Sequence, residues 1–157
     1  MWIELPRAWV VVLNVAGWPL IQLTLAWLFT RMPSSWFRPG PGAGWEDAGR
    51  WYERRLAIRR WKDRLPDGAR WLGGGFSKAN LASTERDYLH RFAQETWRGE
   101  LCHWAALACT PVFFLWNPLW ADAVMTAYAL AANLPCILAL RYNRARLLRA
   151  GRRRGRA

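Results

Sequence analysis

The charged residues of this chain are collected into blocks, and two long stretches carry almost none. Residues 8–29 contain no charged side chain, and residues 101–140 contain a single one, Asp122. A soluble domain intersperses its charges, whereas a membrane protein separates apolar spans from charged loops. Because 53% of the 157 residues are apolar and 13 are Trp, we predict a small all-α integral membrane protein with one domain, residues 1–157.

The uncharged stretches have the lengths expected for three transmembrane helices. A helix of roughly 20 apolar residues crosses a hydrocarbon core of about 30 Å, and residues 8–29 supply one such helix. The second stretch is too long for one crossing, and Trp116-Asn117-Pro118 near its middle is a turn signal. We therefore predict a helical hairpin with spans at about residues 101–116 and 121–140.

The basic residues predict how the chain is oriented. Fourteen Lys and Arg residues lie in residues 31–100 and eight in the tail, residues 141–157, whereas Arg7 is the one basic residue before the first span. Basic residues are enriched in cytoplasmic loops, and three spans place both basic segments on one side. We expect a multi-pass protein of the cell (inner) membrane with its N-terminus outside. Residues 31–100 then form a cytoplasmic, partly interfacial helical insert, and the C-terminal tail is cytoplasmic.

The formal net charge of +12 does not by itself indicate a nucleic-acid-binding protein. The basic residues flank apolar spans and no nucleic-acid-binding fold motif accompanies them, so no nucleic-acid partner is expected. Membrane lipids are the expected partners of the basic segments. The residues alone leave open a non-catalytic membrane adaptor that binds anionic lipids through its basic cytoplasmic face.

One ionisable pair lies where the basic insert meets the second predicted span. Glu100 and His103 are three residues apart and share a helix face with inward-packing residues. A carboxylate one turn from an imidazole can orient the ring and favour its protonated form, as in a general base. A satisfied interfacial pair without catalytic function is the alternative. No metal site is predicted, because the Glu-x-x-His pattern of di-iron bundles needs a second copy.

Further polar groups are predicted at the same depth in the membrane. The first span ends at Arg31, and the third ends in Arg141-Tyr142-Asn143-Arg144. The predicted topology brings these helix ends to the cytoplasmic interface together with Glu100 and His103. Arg at such positions is also what the positive-inside rule produces, so a purely topological role for each Arg is the alternative.

Five groups of residues occur in the order and with the spacing of one known family. They are Thr30-Arg31-Met32-Pro33 with Trp36-Phe37, Arg59-Arg60-Trp61-Lys62 followed by Asp67-Gly68, Glu95-Thr96-x-Arg98-x-Glu100-Leu101-x-His103-Trp104, Tyr128-Ala129-x-x-Ala132-Asn133-x-Pro135, and Arg141-Tyr142-Asn143-Arg144-x-Arg146-Leu147. On these residues the chain resembles the glycosyl-4,4'-diaponeurosporenoate acyltransferase family of carotenoid-glycoside (staphyloxanthin-type) biosynthesis.

The resemblance implies transfer of a fatty acyl chain onto a sugar hydroxyl of a glycosylated carotenoid or similar glycolipid. His103 would take the proton from the attacking hydroxyl, and Glu100 would orient the imidazole. Substrate binding is expected from Arg31, Arg59, Arg60, Lys62, Arg98, Asn133, Arg141, Tyr142, Asn143 and Arg144. No cofactor is expected beyond the acyl donor, acyl-CoA or another donor, which is a co-substrate. Direct transfer is favoured because no Ser or Cys is placed as an activated nucleophile, and the oligomeric state stays open.

Overall fold

The fold consists of α-helices joined by short 3-10 segments. The computed structural model describes residues 2–40, 44–65 and 86–154, and all regular structure in these ranges is helical. The α-helices are α1 (Arg7–Arg31), α2 (Arg50–Leu56), α3 (Arg86–Ala108) and α4 (Leu119–Arg154). The 3-10 segments are Ser34–Trp36, Gly44–Gly49, Ile58–Arg60, Lys62–Arg64 and Thr110–Leu115. The predicted all-α class is confirmed for these residues.

Two helices in the described part of the chain, α1 and α4, are long and apolar enough to cross a membrane. They have 25 and 36 residues, which exceeds the roughly 20 that a hydrocarbon core requires. In α1 the one buried side chain is Trp18, and most of its Val, Leu and Trp side chains are exposed. Because water disfavours a continuous apolar surface of this kind, its exposure favours contact with lipid.

Helix α3 continues without a break from the basic insert across residue 101, as the shared face of Glu100 and His103 predicted, and ends at Ala108 within the predicted second span, residues 101–116. The 3-10 segment Thr110–Leu115 follows it. Pro111 has no amide hydrogen for an α-helical bond, which explains why the helix does not continue. The described residues contain two helices of spanning length, so the three predicted spans are not confirmed.

The predicted third span and basic tail are parts of one helix. Helix α4 begins at Leu119, directly after the predicted turn at Trp116-Asn117-Pro118, and continues through Pro135 to Arg154. The tail therefore extends the helix beyond the apolar residues 121–140. Residues 41–43 and 66–85 of the predicted insert, which include Asp67-Gly68, and residues 155–157 of the tail lie outside the described residues.

Helices α3 and α4 pack antiparallel, and α1 packs on α3. Near the turn before α4, the core consists of Trp18, Ala106, Phe113, Met125 and Ala129. Near the other end, Leu89, Phe92 and Ala93 of α3 pack on Leu147 of α4. The small side chains at Ala106 and Ala129 let the helices approach closely at this level.

The segment of residues 44–65 packs against the second half of α4. Tyr52 and Ile58 are fully buried together with Tyr142. Gly49 has a φ of +94°, and a Cβ at this position would lie 3.2 Å from the ring of Tyr142. Glycine adopts this left-handed conformation without strain and lets the backbone approach the ring, so residues 44–56 lie directly on α4.

Candidate active site

A buried carboxylate lies between α3 and α4. Glu100 is fully buried, and its Oε1 accepts a hydrogen bond from Nε of Arg141 at 2.7 Å. Its Oε2 accepts a hydrogen bond from the guanidinium of Arg144, and Nε1 of Trp104 donates to Oε1 at 3.3 Å. We call Glu100, Arg141 and Arg144 the arginine cluster. Two guanidinium groups and one carboxylate leave this cluster with one net positive charge.

The spacing on α4 explains why both arginines reach the same carboxylate. Residues three apart lie on one helix face, so Arg141 and Arg144 both point towards Glu100 on the antiparallel helix. The guanidinium of Arg144 also lies over the ring of Trp97, 4.6 Å from its centroid. Side-chain exposure is 10% for Arg144 and 35% for Arg141. Arg141 is thus the cluster residue that offers more surface to a ligand.

A second polar pair joins the same two helices one helical turn further along α3. Nδ1 of His103 lies 2.9 Å from Oδ1 of Asn133. Nδ2 of Asn133 donates to the backbone oxygen of Ala129 at 2.9 Å, which fixes the amide orientation. Because an amide oxygen only accepts, Nδ1 must carry the proton. In the neutral form of the ring, the basic lone pair is then on Nε2.

The partner of the imidazole differs from the one predicted. Glu100 was predicted to orient His103, whereas Nδ1 of His103 contacts the amide oxygen of Asn133 and both oxygens of Glu100 accept hydrogen bonds from arginine. The physical reason is that two guanidinium groups bind a buried carboxylate more strongly than a neutral imidazole does. Spacing along α3 cannot reveal this, because both sets of partners come from α4.

Arg98 links the end of α1 to α3. Its guanidinium donates to the backbone oxygen of Met32 and to Glu95, each at 3.0 Å, and lies 5.0 Å from the ring centroid of Phe37. The end of α1 and the arginine cluster therefore lie at the same end of the α3–α4 pair. The exposed side chain of Arg31 lies over its own helix, with the guanidinium 4.4 Å from the Trp27 ring centroid.

The remaining predicted substrate-binding residues have other surroundings. Arg59 and Arg60 are exposed in the 3-10 segment before Trp61, and Lys62 forms an ion pair with the neighbouring Asp63. The hydroxyl of the fully buried Tyr142 donates to Glu53 at 2.6 Å. Asn143 is half-buried on α4.

Two buried residues beside the arginine cluster were not predicted from the sequence. The hydroxyl of Tyr52 donates to Oε1 of Glu46 at 2.7 Å, and both residues are buried. Burial, and then the hydrogen bond to Glu46, raise the pKa of Tyr52, and the charges of Arg141 and Glu100 also act on it. No periodic pattern joins residues six apart, so the sequence carried no signal for this pair.

The described residues contain no group of three or more His, Cys, Asp or Glu side chains that could hold a metal ion. The arrangement that the structure shows is an imidazole bonded through Nδ1 to Asn133, beside a cationic cluster. Such an arrangement can accept a proton at Nε2 and stabilise an anion nearby.

Comparison with known proteins identifies the family. The family model described as glycosyl-4,4'-diaponeurosporenoate acyltransferase matches residues 33–153. The chain belongs to this acyltransferase family. Proteins with this name from Staphylococcus aureus strains USA300 and NCTC 8325 are each 31% identical over 145 residues, covering 88% of this chain and 87% of theirs. No solved structure gives a significant match.

The family assignment confirms the resemblance found in the sequence motifs and makes the protein an enzyme of the acyltransferase class. Every predicted site residue except Arg31 lies within the matched range. The arginine cluster and the His103–Asn133 pair are thus parts of the region that is similar to the acyltransferases.

Proposed function

We propose that the protein transfers a fatty acyl chain from an acyl donor to a sugar hydroxyl of a glycosylated carotenoid or similar glycolipid. The relatives named for glycosyl-4,4'-diaponeurosporenoate support the acceptor class. The observation that carries the mechanism is the 2.9 Å contact between His103 Nδ1 and Asn133 Oδ1, beside a cluster with excess positive charge. In this proposal His103 is the general base.

The reaction uses the imidazole at Nε2. Nε2 takes the proton from the sugar hydroxyl while the oxygen attacks the acyl carbonyl carbon, and a C–O bond forms. The tetrahedral intermediate collapses as the bond to the donor's leaving group breaks, and the imidazolium returns the proton to that group. Asn133 holds the ring in the required tautomer throughout, as the amide does in Cys-His-Asn hydrolases.

The arginine cluster stabilises negative charge in this proposal. Its excess positive charge suits the oxyanion of the tetrahedral intermediate or a phosphate of the donor. Arg141 has the more exposed guanidinium of the two and is the group we assign to the anion. Glu100 then acts by positioning both guanidinium groups rather than by orienting His103.

The other predicted binding residues take different roles. Arg59, Arg60 and Lys62 belong to the segment that packs beside the cluster and would bind donor phosphates, with acyl-CoA as one candidate donor. Arg31 and Asn143 would bind polar head groups at the same end of the helices. Arg98 and Tyr142 hold α1 and the segment of residues 44–56 in place, because their polar atoms bind Met32, Glu95 and Glu53.

We propose that α1, residues 101–116 and α4 cross the inner membrane, with the N-terminus outside and the arginine cluster at the cytoplasmic interface. The last eight residues of α3 and the six-residue 3-10 segment rise by at most about 24 Å in total, compared with about 30 Å for the hydrocarbon core, so this span would be the shortest of the three. The amides of Trp2 and Ile3 donate to the backbone oxygen of Leu115 at 2.9 and 2.8 Å, which joins the far ends of both segments.

The test measures ester formation by the full chain in lipid nanodiscs. The acyl donor is radiolabelled acyl-CoA, and the acceptor is the glucosyl ester of a carotenoid acid. His103→Gln should lower the rate by about 100-fold or more, because a positioned general base contributes that much. The matched control is His90→Gln, since His90 is exposed on the same helix and lies outside the proposed site. This variant should keep the full rate.

Equal rates for His103→Gln and wild type, with both proteins folded, would overturn the role of His103. If wild type forms no ester with acyl-CoA, mass spectrometry of lipids and pigments from cells with and without the protein tests the activity itself. An ester-bound fatty acid that depends on the protein supports acyl transfer with another donor. Unchanged lipids and pigments would instead support the non-catalytic adaptor.

A further inference from the structure

The segment of residues 44–65 separates its charged side chains between two faces. Six arginines within fifteen residues are all exposed, and we call them the basic face: Arg50, Arg54, Arg55, Arg59, Arg60 and Arg64. The opposite side of the segment is apolar and fully buried, with Tyr52 and Ile58 packed on Tyr142 of α4. The segment is therefore fixed on the helix pair and presents its arginines outward.

Two carboxylates that could neutralise the basic face are turned inward. Glu46 is buried and accepts the hydroxyl hydrogen of Tyr52. Glu53 accepts the hydroxyl hydrogen of Tyr142. The exposed Asp63 pairs with Lys62, so the six exposed arginines outnumber the exposed carboxylates among the described residues of this segment.

Two exposed tryptophans flank the start of the segment. Trp36 is 70% exposed and Trp45 is 53% exposed. Trp36 lies five residues after the end of α1, whose exposed apolar surface favours lipid contact. Tryptophan is enriched at the level of lipid head groups, and basic residues bind the anionic lipids of the cytoplasmic leaflet. Charge and tryptophan thus indicate the same kind of partner.

We propose that Arg50, Arg54, Arg55 and Arg64 of the basic face bind the phosphate-bearing head groups of anionic phospholipids and hold residues 44–65 against the leaflet, whereas Arg59 and Arg60 stay available to the donor phosphates. The charge of the face complements that of the lipid surface, and α1 brings this surface close. The proposal does not rest on acyl transfer, because lipid binding requires nothing from His103 or Asn133.

The experiment compares backbone amide exchange of α2 in the full chain in two kinds of nanodisc. One contains phosphatidylcholine alone, and the other also contains about 30% phosphatidylglycerol. Amides of Arg50–Leu56 should exchange roughly tenfold more slowly in the anionic discs, and about 0.5 M NaCl should remove the difference.

Matched variants assign the effect to the basic face. The triple variant Arg50→Gln, Arg54→Gln, Arg55→Gln should show equal exchange in both discs. A control that removes the same charge elsewhere, Arg38→Gln, Arg91→Gln, Arg149→Gln, should keep the difference. Circular dichroism of both variants checks that the helices are intact.

Three results would overturn the proposal. The first is equal amide exchange of the wild-type chain in both discs at low salt. The second is a difference in exchange between the discs that persists in the triple variant. The third is protection in phosphatidylcholine discs that matches the protection in anionic discs once inorganic phosphate or soluble acyl-CoA is added. The last result would mean that the face binds a free phosphate ligand rather than a lipid surface. Loss of acyl transfer in His103→Gln with lipid-dependent protection retained would show that the two proposals are independent.

Discussion

Two polar clusters lie at opposite ends of the α3–α4 pair, and they differ in charge. At the turn before α4, Asn14 and Asn117 exchange hydrogen bonds of 2.8 and 3.0 Å, and Nε1 of Trp116 donates to Asn14 at 3.0 Å. We call these three residues the turn cluster. It is neutral, and the amides of its two asparagines satisfy each other. The arginine cluster, in contrast, retains one net positive charge and a partly exposed Arg141.

The difference indicates which cluster binds a ligand. A neutral network whose groups satisfy one another joins α1 to the turn and needs no further partner. A charged network near a membrane is costly, because each ion loses its hydration and only part of that cost returns through pairing. Excess charge therefore favours a functional role for the arginine cluster and a structural role for the turn cluster.

The largest expected loss of stability follows from a substitution in the arginine cluster. Glu100→Gln should lower the free energy of unfolding by about 3–5 kcal/mol, because two guanidinium groups would lose the carboxylate that compensates them. The measurement is unfolding in detergent by titration with sodium dodecyl sulfate, followed by circular dichroism.

Glu95→Gln on the same helix is the matched control. Glu95 is half-buried, and its partner Arg98 keeps a second hydrogen bond to the backbone oxygen of Met32, so the loss of Glu95 should cost about 1–2 kcal/mol, less than the loss of Glu100. If the two variants lose equal stability, buried charge does not distinguish the arginine cluster from an ordinary helical ion pair.

A smaller effect is expected in the turn cluster. Asn14→Ala should cost about 1–3 kcal/mol, because the buried amide of Asn117 would lose its partner. Replacing both asparagines by leucine should recover part of this loss, since Nε1 of Trp116 is then the one polar side-chain group of the turn cluster that loses its partner. The same titration measures both variants.

The rate of acyl transfer tests whether the arginine cluster and the turn cluster differ in function. The rate per folded molecule should not change in Asn14→Ala, whereas it should fall in Glu100→Gln. A rate loss of similar size in both variants would mean that the turn cluster contributes as much to acyl transfer as the arginine cluster does.

The sequence predicted the position of a helix where the length and composition of a segment are enough to define it. The first span, residues 8–29, corresponds closely to α1, Arg7–Arg31, because a charge-free run bounded by arginines limits both ends. The shared face of Glu100 and His103 predicted a helix that continues across residue 101, and α3 does so. It ends at Ala108 rather than at about residue 116, because Pro111 has no amide hydrogen for an α-helical bond.

The site was predicted only in part, for a similar reason. Spacing along one helix placed Glu100 and His103 on one face, the predicted topology brought Arg141 and Arg144 to the same level, and the family motifs supplied Asn133. Neither source indicates which α4 residue pairs with which α3 residue, because that depends on how the helices pack. The pairing of Glu46 with Tyr52 is likewise a consequence of tertiary structure.

A third prediction concerns how the segment beside the arginine cluster is held. Gly49→Ala should cost about 1–2 kcal/mol, because the residue has a φ of +94° and its Cβ would lie 3.2 Å from Tyr142 and Arg146. Gly40→Ala is the control, since a Cβ there meets no atom within 4 Å. Thermal unfolding in detergent should separate the two variants, and equal melting temperatures would contradict close packing at Gly49.

The smallest expected effect is on the pH dependence of the free energy of unfolding. Tyr52, beside the arginine cluster, should contribute such a dependence, whereas the turn cluster should contribute none. The pKa of Tyr52 is raised above its ordinary value of 10.0, by burial and then by Glu46. Above pH 10 the unfolded chain releases this proton while the folded chain retains it, so stability falls as the pH rises. The slope reaches at most about 1.4 kcal/mol per pH unit.

Tyr52→Phe should reduce this slope between pH 10 and 11, even though it lowers stability throughout by deleting the hydrogen bond to Glu46. The slope that remains comes in part from Tyr142, whose pKa is also raised, by burial and then by the hydrogen bond to Glu53. Asn14→Ala should keep the slope, because the turn cluster contains no titratable group. Unfolding free energies at pH 9, 10 and 11 separate the effects, since a lost hydrogen bond shifts the curve and a lost ionisation changes its gradient. If the plot of unfolding free energy against pH for Tyr52→Phe runs parallel to that of wild type, groups other than Tyr52 produce the slope. The buried tyrosine beside Arg141 would then not distinguish the two ends of the α3–α4 pair.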